Sequence, residues 1–176
     1  MGLEAIKAAL PEYAKDIKLN LGSTIANSTL PPETAWGTAL ACAVAARNPV
    51  VLREIAAEAA THMKDEAITA AKGAGAIMGM NNVYYRAKHL IGDEAYASIP
   101  ARLRMHLIGK PGVDQAVFEL WCLAVSAING CGVCLESHEK VVRKADYSRE
   151  QVHEALRIAA VVHAAAVTLD AEAALA

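Results

Sequence analysis

Residues 114–138 have the sequence DQAVFELWCLAVSAINGCGVCLESH. The long apolar run from about Asp114 to Ile128 predicts a helix, and the Asn129-Gly130 pair that follows it is typical of a turn. A further helix is expected to begin near Cys131. A helix, a tight turn and a second helix that carries two cysteines therefore form the local unit around which the rest of the chain is expected to fold.

The composition indicates an all-α fold. Hydrophobic residues make up 55% of the 176 residues and aromatic residues only 5%. Alanine, the best helix former, is abundant, and small side chains let helices pack closely. We therefore predict one compact helical domain over residues 1–176. The formal net charge of -2 gives no electrostatic reason to expect binding to nucleic acid or to an anionic membrane.

The sequence also predicts a cytoplasmic location. No basic segment followed by an apolar one opens the chain, so we expect no secretory signal. The longest apolar stretches, 120–128 and 158–169, are too short to span a bilayer. In a reducing compartment, close cysteine pairs tend to be redox-active or metal-binding, and structural disulfides are rare.

Helical periodicity and its interruptions predict the remaining elements. Pro11 is expected to interrupt the first helix, and the polar segment 22–32 to be a connection. Ser148 fits the N-cap of the last helix. The predicted helices span about 3–21, 33–46, 49–61, 67–89, 114–128, 131–144 and 149–169, with a turn-rich region at 91–113.

A weak internal repeat is visible when Trp36 is aligned with Trp121, which shifts the chain by 85 residues. Identities are few, so the pattern is compatible with helical rhythm alone. It is also compatible with two related helical halves, at roughly 10–89 and 101–170. In that case the reactive residues lie only in the second half, and the first half is expected to be scaffold.

The segment 129–138 carries a group of residues suited to thiol chemistry. On a helix, steps of three and four residues return to one face, so Cys131, Cys134 and His138 are predicted to form a single stripe. The spacing of the cysteines lets a disulfide close with little backbone movement. The helix start favours thiolate over thiol, and His138 can take the proton of Cys134. These are the parts that thiol–disulfide exchange requires.

Two other interpretations of the cysteines stay open on spacing alone. Reduced cysteines are often buried as small hydrophobic side chains, so the pair is compatible with a redox-inert packing role. The two cysteines and His138 also supply three ligands of a tetrahedral zinc site, and the fold would have to bring Cys122, His106 or His163 as the fourth. Either case would make the chain a structural or zinc-binding helical interaction module.

Glu119, eleven intervening residues and then Cys131-x-x-Cys134-x-x-x-His138 match the signature E-x11-CxxC-x3-H of the alkyl hydroperoxidase D family, in the carboxymuconolactone decarboxylase-like superfamily. The sequence resembles this family over nearly its whole length, which implies the same helical fold. The resemblance is carried by the segments 10–21 (LPEYAKDIKLNL), 76–86 (AIMGMNNVYYR), 118–121 (FELW) and 126–131 (SAINGC).

The resemblance implies a homotrimeric antioxidant peroxidase that reduces small alkyl hydroperoxides and re-reduces a partner peroxiredoxin of the AhpC type. Its electrons would come from dihydrolipoamide on a lipoyl-bearing 2-oxoacid dehydrogenase component, which dihydrolipoamide dehydrogenase and NADH keep reduced. No tightly bound cofactor and no metal are expected. A decarboxylase-like activity on a lactone also lies within the superfamily, but that chemistry does not call for a dithiol.

The family's scheme also implies roles for the site residues. Cys134 attacks the peroxide and Cys131 resolves the sulfenic acid to a disulfide, while Glu119 and His138 relay protons with a water between them. The position of Cys131 nearer the helix start favours that residue as the more acidic thiol instead. We expect Cys134 to meet the peroxide and Cys131 to meet lipoamide or protein disulfides. Family members can carry a His directly before the second cysteine, where this chain has Val133.

Several other residues allow two interpretations. Glu119 lies in an apolar run, where a carboxylate needs a partner, but its position is equally compatible with an exposed site at a helix start. Cys42 and Cys122 have no neighbouring Cys or His in a ligand spacing and are expected in the core. The methionines expected to fill core gaps, or alternatively to line an apolar channel for alkyl peroxides, are Met78, Met80 and Met105.

Overall fold

The computed structural model describes residues 2–176, and this part of the chain is folded into nine α-helices without a β-strand. The all-α prediction is therefore confirmed. The helices are α1 (Leu3–Ala9), α2 (Lys15–Ala26), α3 (Pro32–Ala46), α4 (Pro49–Ala59), α5 (Asp65–Ile91), α6 (His106–Gly109), α7 (Gln115–Ile128), α8 (Gly132–Lys144) and α9 (Arg149–Leu175). Short 3₁₀ helices lie at Glu12–Ala14 and Glu94–Ser98.

The connection predicted at 22–32 is shorter than expected. Helix α2 continues to Ala26, so Gly22-Ser23-Thr24 is helical. Thr24 and Ile25 are buried, and α2 packs against α9. Burial of this face outweighs the low helix propensity of the three residues, because tertiary packing supplies most of the stability of a helix in a protein.

Four helices, α3, α5, α7 and α9, form the centre of the bundle, and α3 packs against the other three. Trp121 of α7 is fully buried, and its indole N–H donates a hydrogen bond of 3.0 Å to the carbonyl of Thr34 in the first turns of α3. The ring thus buries a large apolar area while its polar group keeps a partner. This contact fixes the position of α7, the helix that carries Glu119, along the axis of α3.

The last helix begins at a capping box. The Ser148 hydroxyl accepts a hydrogen bond from the backbone N–H of Gln151 (3.2 Å), and the Gln151 side chain accepts one from the backbone N–H of Ser148 (2.8 Å). The predicted N-cap is confirmed. By length and composition, with a mean hydropathy of 1.6, α9 would suffice to cross a membrane. It packs against α2, α3 and α7, and about a third of its apolar stretch is buried in these contacts.

The order of the helices follows the spacing of the internal repeat. When α3, α4 and α5 are shifted by 85 residues, their bounds fall within three residues of those of α7, α8 and α9. Both trios consist of two medium helices followed by a long one. A common origin of the two halves stays a prediction, since helix order by itself does not establish it.

Glycine inside a helix lowers its stability, so the glycines of α5 predict places where another element comes close. At Gly75 an added Cβ would lie 2.7 Å from Cβ of Val44 and 3.0 Å from the carbonyl oxygen of Ala41. Helices α3 and α5 therefore approach each other at this position as predicted. At Gly79 an added Cβ would meet no described atom within 4 Å.

This difference gives a matched pair of variants in one helix. We expect Gly75→Ala to lower the free energy of unfolding by about 1–3 kcal/mol, because the methyl group overpacks the α3–α5 contact. We expect Gly79→Ala to raise it by about 0.5–1 kcal/mol through helix propensity alone. Urea denaturation followed by circular dichroism measures both changes. Equal effects of the two variants would contradict the close approach at Gly75.

Candidate active site

The cysteine pair directly follows the turn that joins α7 to α8. Gly130 has a φ of 66°, a left-handed conformation that glycine adopts without steric cost. The backbone N–H of Cys131 donates a hydrogen bond of 3.0 Å to the carbonyl of Ser126, and the carbonyl of Cys131 accepts one of 2.9 Å from Leu135. Cys131 is therefore the N-cap of α8, as the predicted helix start near this residue requires.

Side chains of α5 hold this turn in place. The Asn82 amide donates a hydrogen bond of 2.9 Å to the hydroxyl of Ser126 and accepts one of 2.9 Å from the Asn129 amide. The Arg86 guanidinium donates to the backbone carbonyl of Asn129. Asn82 and Ser126 have no exposed surface, so their polar groups need these partners. No local pattern in the sequence predicts a role for Asn82 or Arg86, although both lie in segment 76–86, which carries part of the family resemblance.

Cys131 and Cys134 are joined by a disulfide, and their Cα atoms are 5.3 Å apart. This separation lies in the usual range for a disulfide, as the Cys-x-x-Cys spacing predicts. Cys131 has no exposed surface, whereas Cys134 is 6% exposed. The two sulfurs therefore differ in accessibility although they belong to one bond.

Glu119 and His138 form a buried pair, with exposed fractions of 6% and 9%. Nδ1 of His138 lies 2.5 Å from Oε2 of Glu119. The Gln115 amide donates a hydrogen bond of 3.1 Å to the other carboxylate oxygen and one of 2.8 Å to the carbonyl of Ile108. For Glu119 the buried, partnered position is confirmed and the exposed one is wrong. The direct contact also takes the place of the water expected between the two residues.

The bond to Glu119 orients the imidazole of His138. When a carboxylate binds one ring nitrogen, it fixes the tautomer and leaves the other nitrogen, here Nε2, to exchange a proton with a second group. The same carboxylate stabilises the positive charge that the ring gains when it takes up a proton. The pair can therefore accept a proton and release it again inside the protein.

A cavity of about 390 Å³ joins these groups, since Glu119, Cys134 and His138 all line it. Cys131 is not among the lining residues. Most of the remaining wall is apolar, so the cavity suits a small organic molecule with one polar end. The other residues that line it are Met78, Asn81, Tyr85, Met105, Ile108, Val133, Ser137 and Val141.

Part of this wall comes from the first half of the chain. Met78, Asn81 and Tyr85 lie on α5, so the expectation that the first half is only scaffold is wrong. These residues of the first half reach the cavity because α5 packs against both α7 and α8. Met78 is buried in the core, as expected, and also lines the cavity. Met105 lines the cavity too, whereas Met80 lies on a separate apolar groove of the surface.

Cys42 and Cys122 have no exposed surface, which confirms that both are core residues. Burial raises the pKa of each thiol well above its usual range, and the nearby Glu119 carboxylate raises the pKa of Cys122 further. Both side chains are therefore neutral thiols near pH 7. Because the thiolate is the reactive form, neither competes with the Cys131–Cys134 pair.

The groups named for a zinc site do not come together, and Cys122 is a free thiol in the core. The two sulfurs are bonded to each other and Nδ1 of His138 contacts Glu119. His106 and His163 are exposed, on α6 and α9. Over residues 2–176, no three His, Cys, Asp or Glu side chains are grouped so that they could hold a metal ion.

Comparison with known proteins supports the family that the site residues indicate. The model of the "Carboxymuconolactone decarboxylase family" matches residues 94–176, which include Glu119 and the cysteine pair. A protein named alkyl hydroperoxide reductase AhpD from Streptomyces coelicolor is 59% identical over 176 residues, which cover 100% of this chain and 99% of the relative. Proteins of the same name from Rhodospirillum centenum and Solibacter usitatus are 59% and 52% identical, over 99% and 98% of this chain and 94% and 98% of the relatives.

The identity extends through α1–α6 as well as through the helices of the cysteine pair. Identity at this level over the whole chain establishes the family independently of the cysteine motif. The chain therefore belongs to the AhpD family, within the carboxymuconolactone decarboxylase-like superfamily.

Proposed function

We propose that this protein is an antioxidant thiol peroxidase and disulfide reductase that acts on alkyl hydroperoxides through a reversible Cys131–Cys134 disulfide. One observation carries the proposal: Cys134 shares a cavity with a buried Glu119–His138 pair. A redox-capable sulfur and a proton carrier thus face the same space. The relatives' printed name, alkyl hydroperoxide reductase, supports the same class of reaction.

The oxidative half of the reaction uses both thiols. The Cys134 thiolate attacks the terminal oxygen of the hydroperoxide, so that an S–O bond forms and the O–O bond breaks. Sulfur is oxidised to a sulfenic acid, and the alkoxide leaves and takes up a proton to become the alcohol. The Cys131 thiol then attacks the sulfenic sulfur, the disulfide closes and water leaves. One peroxide thus consumes one dithiol.

His138 is the proton carrier in this scheme. It takes the proton of the Cys134 thiol and returns it to the alkoxide oxygen, while Glu119 stabilises the imidazolium in between. The apolar wall of the cavity accommodates the alkyl part of the substrate and strengthens these interactions by excluding water. Val133 adds to this apolar wall at the position where family members can carry a His.

The reductive half requires a dithiol donor, and dihydrolipoamide fits the site. Its first thiolate attacks one sulfur of the disulfide, and its second thiol releases the reduced protein and forms lipoamide. We expected Cys131 to meet this donor. In the disulfide form, however, Cys131 is fully buried and Cys134 borders the cavity, so attack on Cys134 is the more direct route.

The proposed partners follow from this donor and from the family. A lipoyl-bearing component of a 2-oxoacid dehydrogenase would present the dihydrolipoyl group, which dihydrolipoamide dehydrogenase and NADH would regenerate. The reduced dithiol would also re-reduce a peroxiredoxin of the AhpC type by the same exchange chemistry. Homotrimeric assembly and a cytoplasmic location complete the proposal and stay predictions.

Turnover of an alkyl hydroperoxide with dihydrolipoamide as sole electron donor tests the proposed function. We expect little residual activity in Cys131→Ser and Cys134→Ser, since each lacks one sulfur of the disulfide. In His138→Phe and Glu119→Phe, loss of the acid–base partner should lower kcat/KM by roughly two to four orders of magnitude.

Matched controls come from residues of the same types outside the cavity. Cys42→Ala removes a buried free thiol, and His153→Phe replaces an exposed histidine of α9. Both should turn over peroxide at nearly the wild-type rate. Wild-type activity in Cys134→Ser, or equal losses in the variants and their controls, would contradict the proposed site.

Trapping of the sulfenic acid distinguishes the two cysteines. In Cys131→Ser the sulfenic acid on Cys134 has no resolving thiol, so peroxide followed by dimedone should add one label, seen by mass spectrometry. In Cys134→Ser no stable label is expected. A stable sulfenic acid only in Cys134→Ser would reverse the assignment of attacking and resolving thiols.

Thiol counting separates the enzyme from a zinc-binding or redox-inert module. The chain has four cysteines, so the reduced, denatured protein should show four thiols. One equivalent of peroxide added before denaturation should leave two, because the raised pKa values of Cys42 and Cys122 protect these thiols. Four remaining thiols together with stoichiometric zinc by metal analysis would support the module instead.

A further inference from the structure

Asn81 of α5 is a buried polar residue whose amide oxygen lacks a partner. The residue is 4% exposed, and its Oδ1 is the one buried side-chain oxygen or nitrogen in residues 2–176 that has no hydrogen bond. Buried polar groups are nearly always paired, because leaving one unpaired costs its full desolvation free energy. An exception in a native structure therefore requires an explanation.

The neighbouring Asn82 shows what a structural asparagine looks like in this helix. Both polar atoms of its side chain are used, one by Ser126 and the other by Asn129, and together they hold the turn before the cysteines. Asn81 makes no such contribution to the fold. An apolar side chain of similar size would fill its place without an unpaired group.

The position of Asn81 supplies the explanation. It lines the same cavity as Cys134, Glu119 and His138, and it lies three residues after Met78, which also lines that cavity. A side-chain amide can donate through its N–H groups and accept through its oxygen. Among the lining residues it is thus an uncharged group that can both donate to and accept from a bound molecule.

We propose that Asn81 binds the oxygen atoms of the hydroperoxide and orients them for attack by Cys134. The inference deepens the proposed function and rests on it. The amide N–H donates to the oxygen that becomes the alkoxide, and a turn of the side chain about χ2 lets the buried amide oxygen accept the hydrogen bond of the peroxide O–H. The hydrogen bond donated by the amide N–H strengthens as negative charge develops on that oxygen, so it stabilises the transition state more than the bound substrate.

The same arrangement sets the direction of the substrate. With the peroxide oxygens between Asn81 and Cys134, the alkyl group lies against the apolar part of the wall, which includes Met105, Ile108 and Val141. His138 lines the cavity too and supplies the proton that the alkoxide needs. Asn81 takes no proton itself, and the balance of the reaction is unchanged by its role.

The two half-reactions measured separately test this role. We expect Asn81→Leu to slow the peroxide-driven loss of thiols in a single turnover by roughly 10²-fold, the usual effect of removing one donor to a developing oxyanion. Reduction of the Cys131–Cys134 disulfide by dihydrolipoamide, which involves no peroxide oxygen, should stay within about two-fold of the wild-type rate. Asn81→Ala, which cannot overpack the cavity, should likewise slow the reaction with peroxide and leave the reduction by dihydrolipoamide unchanged.

Two further measurements distinguish binding of the peroxide oxygens from other roles. The loss should be the same factor for hydrogen peroxide and for cumene hydroperoxide, because both carry the O–OH group. The urea midpoint of Asn81→Leu should equal or exceed that of wild type, since an unpaired polar group has been removed. Asn20→Leu, on the exposed part of α2, is the matched control and should leave both half-reactions unchanged.

Equal slowing of both half-reactions, or a clear fall of the urea midpoint in both variants, would show that Asn81 is structural and overturn the proposal. An unchanged oxidative rate would overturn it as well, as would a loss confined to cumene hydroperoxide. If wild-type protein itself loses no thiols to peroxide, the proposed function fails and this inference with it. That result differs from every outcome in which only the Asn81 variants change.

Discussion

The hydrogen bonds between α5 and the turn after α7 are the constraint on which the site depends. Asn82 ties Ser126 to Asn129, and Arg86 binds the carbonyl of Asn129, so the chain can reverse at Gly130 only in this place. The turn determines where α8 begins, and hence where Cys131 and Cys134 lie relative to α7. Because Glu119 is on α7 and His138 is on α8, the same turn brings the carboxylate and the imidazole to 2.5 Å. The buried amide of Asn82 therefore helps to fix the positions of the disulfide and of the Glu119–His138 pair.

Burial of the Glu119–His138 pair costs free energy that an apolar pair would not cost. Removing a carboxylate from water is costly, and mutual attraction repays that cost only when the remaining lone pairs are also satisfied. Gln115 satisfies the second carboxylate oxygen, and its own bond to the carbonyl of Ile108 fixes the amide in place. An apolar pair of similar volume would fill the space at no such cost. The retention of a buried carboxylate and imidazole next to the Cys131–Cys134 disulfide is therefore better explained by the proposed chemistry of the cavity than by the stability of the fold.

The parts of this site that depend on local spacing could be predicted from the sequence. The periodicity of a helix places Cys131, Cys134 and His138 on one face, and the Asn-Gly turn marks where that helix starts. Glu119 was not decided by its own neighbours, and only the family spacing favoured a role for it. Asn81 and Asn82 were missed because their burial depends on how α5 packs against α7 and α8, which no local pattern contains. The same limit explains α2, where packing on α9 keeps Gly22-Ser23-Thr24 helical against its propensity.

The distribution of the site over the chain also limits what a duplicated origin can explain. At the offset of 85 residues, the positions that match Cys131, Cys134 and His138 are Ala46, Pro49 and Arg53, so the first trio has neither a dithiol nor an imidazole at these positions. Yet α5, the last helix of that trio, holds the turn before the cysteines and forms one wall of the cavity. Its counterpart α9 instead packs against α2, α3 and α7 in the core. If the halves share an origin, the cysteine pair and part of the wall of its cavity became divided between them. The chemistry then requires both halves in one folded unit, and neither trio by itself would form the cavity.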